Sequence, residues 1–500
     1  MSRTLRRSCT ACYKYKHSCD LRTPRCSRCI KRNVPCVYAN QPLTAPEDSG
    51  STIAPNYSTA LTSYRFPGLD PFDSYPQTRL PRERVQRLIH SFLHKIAFQY
   101  YPLDLNATTN PFLISWWPLA LGDPALFHVS LQTACLDEEL LAQKGFQASE
   151  ILMTDSVSLL RRKIDDQSLA VQDGTMNSVI TLAAIEFGKG NVDIAGMHVR
   201  GVKKLVTLRG GINSVRQTSP LTARMISWVS MLVMGHPQFE TQDDVGIGDG
   251  IPSTPEYQYA SSTDLLEGGV VGFVHIVKDD LEYSVRNVFI RLRNVFQRAR
   301  RIPFPPTHLH DLTCFVIHRL LLSAPLDSAG PNSTTPPSIP SSITECIRYA
   351  TIIYMFIIHG PTYYSHAVIL NTMVMRFVQH LKLLDLMPHI HSSLDVWFVA
   401  IGMVASAGTH PAHYQWFLER ARMVAGALNL RSWSDATEKV KSVLWFDTPQ
   451  GDAIFRPHLD AIFSDATDIS VHRLDLAVCV SSSSAREGLP RTAHLSDTYT

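Results

Sequence analysis

The sequence predicts two structural classes in one chain: a small N-terminal domain organised through its cysteines, with two short helices, and a large all-α domain behind it. Three observations carry this. Six of the ten cysteines (Cys9, Cys12, Cys19, Cys26, Cys29, Cys36) fall within the first 36 residues. From about Pro81 apolar residues recur at helical spacings of three and four, and no run alternates as a strand does. Residues 40–80 between them are rich in Pro, Ser, Thr and Gly and read as a flexible linker. The predicted division is a cysteine domain over 1–39, a linker over 40–80, a helical domain over 81–480 with loops near 241–264 and 327–342, and a disordered tail over 481–500.

The charge follows the same division. The 500 residues carry a net +3, but residues 1–36 hold ten basic side chains against one acid, Asp20. That head is therefore +9 and the remainder −6, a pattern that favours polyanion binding at one end. No apolar run follows the basic head, so no secretory signal is expected. The most apolar stretches, Ala350–Ile358 and Val396–Ala407, fall short of the roughly 20 residues of a membrane span. A reducing compartment follows, in which clustered thiols are metal ligands rather than disulfides.

The cysteines are spaced C-x2-C-x6-C-x6-C-x2-C-x6-C, in two matching halves, 9–19 and 26–36, joined by DLRTPR. A C-x2-C pair lets two thiolates bind one tetrahedral ion, and a third cysteine seven residues on can close the site after about two helical turns. Three ligands per half are one short of four. Sharing two thiolates between two zinc ions removes the deficit, which makes the expected cofactor two Zn2+ per chain and the small domain zinc-organised. The competing explanations are a six-cysteine disulfide knot, two unrelated incomplete sites, or an iron–sulfur centre, whose spacings differ.

With all six cysteines and the loop proline Pro24, this segment resembles the fungal binuclear zinc-cluster transcription factors. The resemblance implies one zinc on Cys9, Cys12, Cys19 and Cys26 and the other on Cys26, Cys29, Cys36 and Cys9, with Cys9 and Cys26 bridging. It also implies a short helix after the second cysteine that enters the major groove, with Lys16 on it reading a CGG triplet. An ammonium can donate to guanine O6 and N7 together. Lys14, Arg25, Arg28, Lys31 and Arg32 would then contact phosphates, giving affinity without sequence information. Two positions depart from the family pattern, Tyr13 after the second cysteine and Ser18 before the third, each removing a basic residue. Tyr15 also replaces a residue that is often basic. His17 is expected to be exposed, because six thiolates already fill both sites. No apolar heptads follow the cluster to form a coiled coil.

In the helical domain, Asp193–Ile212 illustrates the pattern. Ile194, Met197, Leu205, Leu208 and Ile212 fall on one stripe together with Gly201, Asp193 can cap the start, and Gly210 sits where a left-handed terminus wants glycine. Similar patterns predict helices at 83–99, 123–142, 147–165, 176–188, 220–234, 281–300, 341–358, 361–384, 393–407 and 411–429, in a domain of roughly ten to fifteen helices. Segments 116–134, 197–212 and 416–447 resemble the helical regulatory domain found behind such clusters.

No enzyme motif emerges. Gly196–Lys203 nearly spells a phosphate loop, but Val202 stands where it needs lysine; Gly246, Gly248 and Gly250 lead into Pro252 and Pro255 rather than a helix. His359, His366, His389, His391, His410 and His413 cluster in sequence, but ordinary surface or core roles are expected. Cys135, Cys314, Cys346 and Cys479 read as buried small hydrophobes. The expected function is a nuclear, zinc-dependent, sequence-specific DNA-binding regulator of RNA polymerase II transcription, not an enzyme. The resemblance is compatible with control of a metabolic or secondary-metabolite gene set. Expected partners are double-stranded DNA and either a second copy or transcriptional co-regulators, with no membrane. The alternatives are a corepressor-like protein whose cluster contacts protein, which Tyr13 and Ser18 make conceivable, and a ligand-sensing helical module.

Overall fold

A computed structural model describes residues 10–18, 27–34, 75–143, 145–260, 281–303, 305–323, 339–363, 366–385 and 392–463. Its backbone contacts divide the chain into two units, Met1–Leu69 and Asp70–Thr500. The first contains two short helices, α1 (Thr10–Lys14) and α2 (Ser27–Lys31).

The second unit is helical throughout its described residues, apart from loops and one isolated bridge between Thr241 and Ile251. α3 (Arg82–Ser91) continues through a π-helical turn (Phe92–Ile96) into α4 (Ala97–Tyr100). A second π turn (Phe112–Trp116) leads into α5 (Trp117–Gly122). α6 (Pro124–Ala142) starts sharply because the Asp123 carboxylate accepts the Ala125 and Leu126 amides at 3.1 and 3.4 Å, and Pro124 needs no such partner. It is buried from Ala125 to Leu136 and packs against α7 (Gln147–Ile164) and, beyond the single turn α8 (Gln167–Ala170), against α9 (Asp173–Gly188). α10 (Val192–Leu208), α11 (Ile212–Thr218) and α12 (Pro220–Met234) close this first group.

After the short α13 (Pro255–Gln258), α14 (Tyr283–Ala299) and α15 (Pro306–Leu322) lead to a second group: α16 (Ile339–His359), α17 (Ala367–Asp385), α18 (Ser393–Ser406), α19 (Pro411–Ala427), α20 (Trp433–Val443) and α21 (Pro449–Phe463). α18 is its centre, packed on α16, α19, α20 and α21. Trp397 on α18 is fully enclosed and donates to the Leu444 carbonyl at 3.0 Å. α19 crosses α18 at Gly402, where an added Cβ would lie 2.1 Å from the Phe417 ring.

Three expectations need correction. Of the predicted stripe, Leu205 and Ile212 are buried, but Ile194, Met197 and Leu208 face outward, at 41%, 56% and 72% exposure, while Ala195, Val199, Val202 and Val206 form the rest of the buried face. The second set consists of short side chains, which let α10 approach α9 and α12 closely; periodicity alone does not choose between two apolar stripes. Asp193 does not cap: α10 begins at Val192, and Asp193 lies in its first turn. The segments outnumber ten to fifteen because several are single turns, and because α15, α20 and α21 were not among the predicted helices, although α20 buries Ala436, Val440 and Val443 at helical spacing. α15 is buried on nearly every side from Leu309 to His318, which erases an amphipathic signal. Gly210 does adopt the left-handed conformation, at φ 97°. Residues 261–264, most of the 327–342 loop and the tail lie outside the described residues.

Candidate zinc centre and nucleic-acid interface

The N-terminal unit is built twice. α1 carries Cys12 and α2 carries Cys29, each the second cysteine of its C-x2-C pair. Both helices end in the same way. The His17 amide donates to the Cys12 carbonyl at 2.8 Å, and the Val34 amide donates to the Cys29 carbonyl at 3.1 Å. Each bond spans five residues and closes over a left-handed residue, Lys16 at φ 53° and Asn33 at φ 47°. This is the 6→1 closure that ends helices when a residue with positive φ follows. The 17-residue offset between Lys16 and Asn33 is also the offset between the two cysteine halves. The turn is more comfortable for Asn33, because asparagine tolerates this conformation whereas lysine adopts it at a cost of about 1–2 kcal/mol.

This corrects one expectation. Lys16 is not on a helix; it lies two residues beyond the end of α1. The path to the third cysteine therefore is not two helical turns but one turn of helix followed by a left-handed reversal.

Among the described residues of this unit the fully buried side chains are Cys12 and Cys29, at 2% and 1% exposure. Both line one cleft of about 420 Å3 between α1 and α2, with Tyr15, His17, Arg28 and Arg32 around it. A segment whose buried side chains are sulfurs, with almost no hydrocarbon core, suits a soft thiolate-preferring ion such as zinc. Cys9, Cys19, Cys26 and Cys36 lie outside the described residues, so no group of three metal-ligating side chains occurs among the described ones.

Lys14, Lys16, Arg28, Lys31 and Arg32 are all exposed, and among the described residues none has an acidic partner. Arg25 lies outside the described residues. One contact was not legible in the sequence: Arg32 Nη1 donates to His17 Nε2 at 3.2 Å, tying the second half to the first. His17 also stacks on Tyr15, with ring centroids 6.4 Å apart. The signal that could have found it is the repeat itself, which places His17 and Val34 in matching positions beside the cleft.

Among the described residues the histidines grouped in sequence do not gather at one site, although His410 and His413 lie with ring centroids 5.5 Å apart. His359 bonds His310 at 2.9 Å in the core, and His410 reaches Asn371 at 3.2 Å. His389 and His391 lie outside the described residues. Cys135, Cys314 and Cys346 are buried and outside any disulfide, and burial pushes the Cys135 thiol up to about 11. Cys479 lies outside the described residues. Among the described residues no helix is long and apolar enough to cross a membrane.

Two family models match the chain. A fungal Zn(2)-Cys(6) binuclear cluster domain matches residues 7–45, which include all six clustered cysteines, and a fungal specific transcription factor domain matches residues 87–235. Of the three segments that resemble the regulatory domain, 116–134 and 197–212 fall inside the second match and 416–447 outside it. No curated protein and no solved structure gives a significant match. The chain thus joins a zinc-binding cluster domain to a transcription factor domain, as a fungal-type transcription regulator does, and neither matched family is an enzyme family.

Proposed function

For a chain that carries these two domains, we propose a zinc-dependent, sequence-specific regulator of RNA polymerase II transcription that acts in the nucleus on duplex DNA. Two Zn2+ ions are held by Cys9, Cys12, Cys19, Cys26, Cys29 and Cys36, with Cys9 and Cys26 shared. Lys16 reads the guanines of a CGG-type triplet, and Lys14, Arg25, Arg28, Lys31 and Arg32 contact phosphates. Residues 1–39 form the reader, 40–80 tether it, and 81–480 control its output through a second copy or co-regulators, on a metabolic or secondary-metabolite gene set.

The observation that carries the reading is the doubled cysteine half: the same closure over a left-handed residue, a buried thiol in each helix, and five exposed cations without acidic partners among the described residues. The repeat aligns Lys16 with Asn33, so at this turn the first half presents a cation where the second presents an amide. A lysine held by a fixed backbone turn at a helix end projects from a defined point, which base reading needs. Bound duplexes selected from a random pool at physiological salt should be enriched in CGG. A pool that retains no CGG preference overturns the reading.

A further inference from the structure

The helical unit carries two exposed apolar patches that the DNA reading does not use, and they stand side by side. The first is the outward side of α10. Ile194, Met197 and Leu208 lie exposed along one stripe, and Gly201, without a side chain, leaves its middle open. Arg200 and Lys204 border the stripe, both exposed, and among the described residues neither has an acidic partner.

The second patch is the tip of the loop over residues 240–251, where Val245 and Ile247 are 62% and 70% exposed. This loop is braced. The Gln242 amide donates to the Ile251 carbonyl at 2.9 Å, and the Ile251 amide returns a bond to the Glu240 carbonyl at 2.8 Å. The Asp243 carboxylate accepts the Val245 and Ile247 amides at 3.0 and 2.7 Å. The buried Gln242 side chain donates to the Gly248 carbonyl at 2.7 Å, and Asp244 accepts from Asn287 on α14 and from the Tyr257 hydroxyl. Two β-branched side chains are thus held out in solvent by a fixed backbone, so docking them costs little ordering entropy.

The patches are neighbours of opposite charge. Lys203 on α10 bonds the Gln238 side chain at 3.4 Å and lies 6.0 Å from the Phe239 ring, immediately before the loop. Ile251, where the loop closes, lines one small cleft with Ile212, just past the end of α10. Residues 240–251 hold Glu240, Asp243, Asp244 and Asp249 and no basic residue, whereas α10 holds Arg200, Lys203 and Lys204 against Asp193. Within one copy both patches remain uncovered. A foreign acidic helix would cover the stripe but leave the loop tip bare; a second copy covers both. A two-fold axis beside them lays the tip of each copy on the stripe of the other.

We propose that α10 and the 240–251 loop form a reciprocal two-fold interface between two copies of this chain. Val245 and Ile247 of one copy pack on Ile194, Met197 and Leu208 of the other, and the acidic rim of the loop meets Arg200 and Lys204. The interface rests on the reading above only in naming the surface that holds its second copy, and pairing is measured without DNA. No apolar heptads follow the cluster, so the helical unit supplies the pairing that the linker lacks.

Sedimentation equilibrium of the zinc-loaded full chain tests this. A monomer–dimer equilibrium is expected, with a dissociation constant on the order of 10 µM at about 0.1 M salt and severalfold weaker at about 0.5 M. One variant combines Arg200→Glu with Lys204→Glu, and another combines Glu240→Lys with Asp249→Lys. Each should weaken self-association by at least about tenfold. All four side chains are exposed, so each variant should melt within about 2 °C of the unmodified chain. Mixed in equal amounts, the two variants should pair to within about threefold of the unmodified chain. In that mixed pair one contact is reversed on both sides and the other is unmodified, so both are again attractive. A chain that stays monomeric up to about 200 µM overturns the proposal. So do variants that self-associate like the unmodified chain, or a mixture that fails to pair. Should a charge variant fail to fold, Ile247→Ser decides in its place: unchanged self-association overturns the interface.

Discussion

The two units solve the same problem by different means. In the helical unit burial is by hydrocarbon: Trp116, Trp117 and Trp397 are each enclosed, and whole helices such as α6, α15 and α18 are covered on nearly every side. In the N-terminal unit the buried side chains among the described residues are two cysteines. A segment that short has too little apolar surface to offset its chain entropy, so metal–thiolate bonds must replace the core. The difference also separates duties. A unit without a core can devote its remaining side chains to an exposed cationic surface, whereas the larger unit must spend most of its sequence on packing.

The comparison can be broken most decisively by removing zinc. Chelation should unfold the N-terminal unit, at a loss of order 10 kcal/mol per site, and leave the melting of the helical unit in place. All seven tryptophans lie at or beyond Trp116, so their fluorescence follows the helical unit alone while a metal indicator follows the head. Loss of the tryptophan transition on chelation would erase the distinction. With the proposed ligand sharing, Cys26→Ser should perturb both zinc ions and Cys36→Ser only one, which metal analysis of the purified variants would show.

Acid should act on the helical unit in a predictable window. Burial lowers His310 to about 4, with Asp311 raising and Arg224 further lowering it, and burial likewise lowers His318 to about 4. Both rings are kept neutral by folding, so their unfolded forms take up protons first. Stability is then fully present above about pH 6.5 and declines as the pH falls toward 4, by roughly 3 kcal/mol per imidazole. Urea unfolding followed by tryptophan fluorescence across this range should show the decline; a flat profile would contradict the burial. Packing can be tested at a single point. Gly402→Ala forces a methyl into the Phe417 ring and should cost about 1–3 kcal/mol, read as a lower tryptophan-detected melting temperature.

The smallest effects concern the head's surface. Lys16→Ala should relax the CGG preference, worth about 1–3 kcal/mol, while salt-sensitive nonspecific binding remains. Arg28→Ala should weaken all sequences alike and reduce the salt slope by about one. Lys16→Asn sharpens the comparison between the halves: it keeps a residue suited to the left-handed turn, so zinc content should be unchanged while CGG preference is lost. If Lys16→Asn also loses zinc, the lysine is holding the fold and not only facing the DNA.

Much of this organisation was legible before the structure. The doubled cysteine spacing pointed to a repeated unit, and the 3.6-residue periodicity located α6, α7, α12 and α19 to within a residue or two. Where reading failed, the cause was a competing physical requirement. α10 has apolar residues on two sides, and close packing buried Leu205 together with the shorter Ala195, Val199, Val202 and Val206 while leaving Ile194, Met197 and Leu208 exposed. α15 is buried on almost every side and takes polar residues such as His310, Asp311 and His318 into the core, so no exposed polar face marks its period.

By itself, the sequence determined the inventory: six thiols in two matching halves, a cationic head, and a long helical remainder. These follow from spacing and composition, which depend only on neighbours along the chain. The tertiary structure decided which face of α10 is buried, that Lys16 lies on a left-handed turn rather than a helix, and that Arg216, Arg224 and Asp311, up to 95 residues apart, meet in one ion-paired cluster. Such contacts join residues distant in the chain, and they are chosen by close packing and charge pairing, for which local periodicity carries no signal.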